Sequence, residues 1–221
     1  MNGGPFRGLL IAAAILTVAG CPRETPYVWQ LPPGFPAPQV PADNPMTLEK
    51  VELGRRLFHD ARLSANGKQS CASCHRQSHA FAESAISATG STGEMHHRNS
   101  MALVNAAYAT TFTWAHPGIT SLEQHMLIPL FGDAPVEMGA GGHEKEILAR
   151  LQADAAYLEQ FPHAFPWPRN DVSFENIVKA LASFVRLLIS FGSPFDRYAY
   201  YGDDSALTAA QVRGQIGRAH V

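Results

Sequence analysis

Charge is scarce in this chain. Only 16% of its 221 residues are charged and the formal net charge is -2. There is no run of Lys or Arg, so neither a global nor a local electrostatic argument for nucleic-acid binding exists. Long apolar runs are also missing: the N-terminal one, residues 8–18, is too short to span a bilayer permanently. Strand-like alternation is nearly absent and no internal repeat is visible, which points to an all-α fold. Cysteine occurs three times, and only one pair is close in sequence, so the two paired sets of a structural zinc site cannot be assembled. What the chain does have is 46% hydrophobic content, ample for a packed core.

The paired cysteines lie in Cys71-Ala72-Ser73-Cys74-His75, which reads as C-x-x-C-H, the attachment sequence of a c-type haem. Two cysteines three apart on one turn can both reach the vinyl groups of one porphyrin. His75, the next side chain, then comes beneath the iron as axial ligand, with its second ring nitrogen free for an orienting hydrogen bond. A redox dithiol would follow a β-strand, but the residues before Cys71 are polar turn sequence. The remaining cysteine, Cys21, follows Val-Ala-Gly at the end of the apolar run behind Arg7, in the manner of a bacterial lipobox. Residues 1–21 are therefore expected to be a signal peptide, with Cys21 lipidated as the anchor; the alternative is an ordinary cleaved signal. With one cysteine taking lipid and two taking haem, none is left for a disulfide.

Residues 22–45 carry eight prolines in 24 positions, which blocks helix and sheet and predicts an extended tether. From Thr47, a plausible N-cap, Val51, Gly54, Leu57 and Phe58 share one helical face. A turn-rich loop is expected from His75 to Asn99, followed by a short apolar segment, residues 101–108. Thr120-Ser-Leu-Glu123 reads as a capping box opening a helix to about Ile128, stopped near Pro129 and Gly132. Another helix is expected over residues 143–151, then a loop marked by Pro162, Pro166 and Pro168. Ser173 caps the longest helix, whose stripe of Ile177, Ala180, Leu181, Phe184 and Leu188 is core.

Several words in order resemble the bacterial di-haem cytochrome c peroxidase family, which includes the MauG-like enzymes. They are Leu53-Gly-Arg-Arg-Leu-Phe58, Asp60, Arg62-Leu-Ser64, Ser70-Cys-Ala-Ser-Cys-His75, Ala80-Phe81, Arg98-Asn99, Asn105-Ala106, Phe112-Thr-Trp114, Leu122-Glu-Gln124, Pro135-Val-Glu-Met138, Ala180-Leu-Ala-Ser-Phe184 and Ser193-Pro-Phe-Asp-Arg197. The opening Tyr27-Val-Trp-Gln-Leu-Pro-Pro-Gly-Phe-Pro is most similar to an MbnH-like lipoprotein subgroup.

The resemblance implies a cytochrome c-like peroxidatic domain over residues 46–202, with His75 as proximal ligand. Gln124 and Glu137 match the distal-pocket pair, in which the carboxylate moves a proton between the peroxide oxygens, and Trp114 matches the electron relay between two haems. The segment between Gln124 and Glu137 departs from the shorter family form by Phe131-Gly-Asp-Ala134. His96 or His97 would be a distal ligand at rest, and Asn99 a side-chain ligand to calcium. The other histidines read as surface or pocket-lining residues.

As partners the resemblance implies hydrogen peroxide, a small electron-donor protein (cytochrome c or cupredoxin) or a protein substrate, and a possible homodimer. Residues 203–214 match the start of a second haem domain, with Thr208 and Gln211 as its capping box. The last seven residues, from Gln215, resemble translated sequencing-adapter read-through, so the sequence is expected to be an N-terminal half, carrying one of two haems. Three functions stay open: a peroxidase on the periplasmic face, a MauG-like enzyme that uses peroxide to oxidise an aromatic residue of a partner, and a non-catalytic electron carrier.

Overall fold

The computed structural model describes residues 24–113 and 116–216; the targeting segment with Cys21, and Trp114, lie outside them. Among the described residues every regular element is a helix, and the only β features are isolated bridges.

Thr47 opens α1 (Leu48–Phe58) by accepting a hydrogen bond from the Lys50 amide at 3.2 Å, as its sequence context predicts. The face of α1 that carries Leu53, Gly54, Leu57 and Phe58 is buried. It packs against the longest helix, α6 (Phe174–Leu187), whose Ile177, Ala180, Leu181 and Val185 are almost wholly out of solvent. Burying each such aliphatic or aromatic side chain contributes about 1.5–3 kcal/mol, so this crossing is the centre of the core. The single turn α2 (Cys71–Cys74) follows, then α3 (Leu122–Phe131) against α6, α4 (Glu144–Gln152), and α5 (Ala155–Ala164) against α1. The short α7 (Pro194–Tyr200) and α8 (Ala209–Ile216) end the described chain, α7 opened by a Ser193–Asp196 capping box and α8 by reciprocal bonds between Thr208 and Gln211.

Three local expectations are corrected. The N-cap of α3 is Ser121, whose hydroxyl accepts from the Gln124 amide at 3.1 Å, so the start lies one residue beyond the predicted Thr120. Pro129 does not stop α3, which continues to Phe131. Proline there forfeits one backbone bond in the final turn, while Leu130 is buried and Gly132 N–H closes the helix on Ile128 O at 2.7 Å. Likewise Pro162 lies inside α5 rather than in a loop: Asp154 caps the helix, and Tyr157 and Phe161 are fully buried on one face.

The proline-rich stretch is extended, yet it lies on the domain instead of hanging free. Tyr27 N–H donates to Met46 O and Leu48 N–H to Thr25 O. The ring of Phe35 contacts those of Tyr108, Phe191 and Tyr200. Asn44 is fully buried, and its amide donates to Glu123 on α3 and to Lys179 O on α6. Arg186 of α6 grips the same Glu123 carboxylate with two bonds of 2.9 and 3.0 Å. This network ties the N-terminal stretch, α3 and α6 together, and so fixes α3 relative to the helix behind it.

A cavity framed by the C-x-x-C-H turn

Ser70 holds the start of α2 through its amide, which donates to the Ser73 hydroxyl at 3.0 Å. One turn of helix then sets Cys71 and Cys74 side by side, and His75 N–H closes the turn on Cys71 O. The chain next folds into a tight loop in which Ala80 and Phe81 take positive φ values of 56° and 58°. Arg76 and Ala82 pair across its base, and the Phe81 carbonyl is turned onto the His75 ring at 2.7 Å from Nδ1. A carbonyl only accepts, so Nδ1 carries the proton and Nε2 keeps its lone pair.

Cys71, Cys74 and His75 line a cavity of about 360 Å³, within the size range of cofactor sites. Its walls are mainly apolar: Phe58 from α1, Met126, Ile128 and Pro129 from α3, Met138 beyond it and Val185 from α6. The residues fit a c-type haem. Two adjacent cysteines flank an imidazole with a free nitrogen, the walls are apolar, and a buried nitrogen of His125, also lining the cavity, has no partner in the protein. They do not fit the competing chemistries. Burial pushes the Cys71 thiol up to about 12, and the Cys74 thiol also lies above its usual value through burial. Redox-active cysteines are instead lowered. Among the described residues no group of three or more His, Cys, Asp or Glu side chains could hold a metal ion. Burial also depresses the His75 pKa, with the Phe81 carbonyl opposing, which favours the neutral imidazole that binds iron.

Glu137 lines the cavity on the segment after α3. Its backbone is pinned from both sides: Ser91 N–H donates to Glu137 O at 2.7 Å, and Met138 N–H to Pro129 O at 2.9 Å. Gly90 makes this approach possible, since a Cβ there would lie 1.8 Å from the Val136 oxygen. Burial raises the Glu137 pKa, and His96 opposes the shift.

The remaining expected residues are placed unevenly. Gln124 does not line the cavity. It is exposed on α3, where its amide oxygen accepts from Thr120 N–H at 3.0 Å, so the side chain is committed to the start of the helix. The residue of this helix that does line the cavity, beside Met126 and Pro129, is His125. Helical phase could have revealed it: Leu122, His125, Met126, Pro129 and Leu130 form an i, i+3, i+4, i+7, i+8 stripe, from which Gln124 is excluded. His96 and His97 both line the cavity, and His96 Nε2 lies 3.3 Å from Val136 O. Asn99 also lines it, and donates its amide nitrogen to the carbonyls of Glu83 and Ala85. Thr113 lines the cavity directly before Trp114.

Comparison with known proteins decides the lineage. The family described as di-haem cytochrome c peroxidase matches residues 48–205. The chain belongs to that family. It is 34% identical over 218 residues to the cytochrome-c peroxidase IdrP1 of Denitromonas iodatirespirans, covering 96% of this chain and 55% of that protein. To the methylamine utilization protein MauG of Methylorubrum extorquens it is 37% identical over 174 residues, covering 79% and 47%. A crystal structure of a MauG-like protein associated with microbial copper homeostasis superposes with a TM-score of 0.80 at 44% identity, covering 86% of this chain and 54% of that one. The chain thus spans about half the length of the curated relatives it matches. Family membership agrees with the haem c fit of the cavity.

Proposed function

We propose that this chain is the peroxide-reacting half of a di-haem c-type peroxidase. Cys71 and Cys74 would hold the haem and His75 would ligate its iron. When bound, the haem supplies a redox-active iron able to exchange electrons with peroxide. The observation that carries the reading is the half-buried Glu137 carboxyl, whose pKa is raised by desolvation within the cavity that His75 lines. Cleaving hydrogen peroxide to water requires a proton on the departing oxygen. A carboxyl with raised proton affinity, shielded from bulk water, can hold that proton at its Oε atoms and deliver it. The Ser91 and Met138 bonds hold the Glu137 backbone in register, and the apolar walls limit water. Phe81 O keeps the His75 ring in the tautomer that presents Nε2. Electrons would come from a second haem outside these residues, past Trp114, and the protein would be exported and anchored through Cys21.

A second reading shares this cavity but sends the oxidising equivalents outward, to an aromatic residue of a partner protein. The 44% identity to the MauG-like structure, above the 34% to the named peroxidase IdrP1, supports it. Optical and EPR spectra of the haem-loaded full-length protein, before and after peroxide, test both. Loss of the ferric spectrum within seconds of adding stoichiometric peroxide is expected. Low-spin signals indifferent to peroxide in every redox state would mean an electron carrier instead. Rapid reduction by a small cytochrome or cupredoxin then marks the peroxidase, and slow reduction with a covalently altered partner marks the MauG-like enzyme.

A further inference from the structure

We infer that His125 is the side chain that hydrogen-bonds peroxide in this cavity, in the place where the family resemblance puts a glutamine. This rests on the functional reading above. Four observations carry it. His125 lines the same cavity as Cys71, Cys74, His75 and Glu137. Its Nδ1 is buried and meets no partner in the protein, although an imidazole nitrogen withdrawn from water is costly when left unbonded. Its ring lies nearly parallel to that of buried Phe112, 27° apart with centroids 5.7 Å distant, and this contact fixes the ring plane. Its backbone is anchored in the first turn of α3, where His125 N–H donates to Ser121 O at 3.0 Å.

An imidazole with a fixed ring plane, in the wall of a cavity that must accept a small oxygen ligand, is a preformed contact for that ligand. The neutral imidazole suits the role. Burial lowers the His125 pKa, so near neutral pH the ring offers one N–H and one lone pair, able to meet an oxygen or an O–H of peroxide. Glu137 supplies the proton-transfer group and His125 the positioning contact. The exposed Gln124, one residue earlier, holds the helix start.

The test uses the haem-loaded full-length protein and two small ligands, cyanide and hydrogen peroxide, followed by optical titration and stopped-flow absorbance. His125→Ala and His125→Phe are each expected to raise the cyanide Kd and slow the peroxide-induced spectral change by at least tenfold. His125→Phe keeps a ring against Phe112, so its loss reports the nitrogen and not packing. His125→Gln, which restores an amide donor and acceptor, is expected to recover most of both, and Gln124→Ala to match the parent. Parent-like cyanide affinity and peroxide kinetics in His125→Phe overturn the inference. So does conversion of a low-spin parent haem to high spin in that variant, because His125 would then be an iron ligand. A parent protein that responds to neither probe would overturn the functional reading itself.

Discussion

The His75 ring and the Phe81 carbonyl face each other at 2.7 Å, and the bond depends on two consecutive residues held at positive φ, Ala80 and Phe81. Left-handed backbone costs an L-residue about 1–2 kcal/mol, and strain of this kind is kept where the surroundings over-determine it. At Ala80 the cost grows with branching at Cβ. Ala80→Val is therefore expected to lower the stability of the haem-loaded protein by about 1–2 kcal/mol, while Ala80→Gly stays within about 1 kcal/mol of the parent. Denaturant melts of the three proteins check this; equal midpoints for Val and Gly would remove the argument.

At the crossing of α1 and α6, a Cβ on Gly54 would lie 1.9 Å from the Ala180 carbonyl oxygen and 2.9 Å from the Phe184 Cβ. The obstruction is backbone, so no rotamer change relieves it. Gly54→Ala should force the two helices apart and cost about 3 kcal/mol or more, despite alanine's better helix propensity. Because Phe58 on α1 lines the haem cavity, a lower haem content per chain should accompany the loss. A variant as stable as the parent would show that the helices do not meet so closely.

Legibility in the sequence divided along physical lines. Local signals were sufficient where one residue type does one job: Thr47 and Ser173 cap the helices they precede, and the α6 stripe is core. The C-x-x-C-H word pointed to the turn over Cys71–Cys74 that lines the cavity, because the spacing of its side chains is itself local. Proline misled at Pro129 and Pro162, since the burial of Leu130 and Phe161 outweighs one lost backbone bond near a helix end. Gln124 was singled out by resemblance alone, without regard to helical phase, and it is the neighbouring His125 that lines the cavity. A shift of one residue turns a helix by about 100°, enough to carry a cavity-lining side chain out to solvent. The packing of the proline-rich stretch was hidden for another reason: Asn44, Glu123 and Arg186 are far apart in the chain, and only the fold brings them together.

Asp60 controls stability on the acid side. Burial pushes its carboxyl up, but hydrogen bonds from Arg62 and the Tyr157 hydroxyl, the latter at 2.7 Å, outweigh burial and leave its pKa below the ordinary 3.8. A carboxylate lowered in the folded state contributes stability that is present above the unfolded pKa and lost as pH falls through the folded one. The parent should therefore lose stability as pH drops below about 4, whereas Asp60→Asn should show a flatter acid limb from a lower plateau. At pH 7 the substitution is expected to cost about 2–3 kcal/mol, the scale for a hydrogen bond to a charged group with its partners left buried. Denaturation midpoints between pH 2.5 and 7 provide the comparison. Parallel curves for parent and variant would place the acid sensitivity elsewhere.

Glu137 has the opposite sign. Its pKa is raised from 4.5 by burial, so the folded chain holds the proton more tightly than the unfolded chain. Stability from this group is complete below the unfolded pKa and is lost as pH rises through the folded value. Glu137→Gln keeps the shape and removes the titration. Relative to the parent, the variant should gain stability as pH rises from 4.5 toward neutrality and show no advantage below it. The reaction with peroxide should respond in the other direction: without a group that can give up a proton in the cavity, the rate is expected to fall by about 10²–10⁴-fold. Stopped-flow absorbance on parent and variant at pH 7 measures it. The two effects together distinguish a proton-transferring carboxyl from a structural one, because a residue that only packs would not combine greater stability at neutral pH with a slower peroxide reaction. A variant that reacts at the parent's rate would transfer the proton-delivery role to another group lining the cavity.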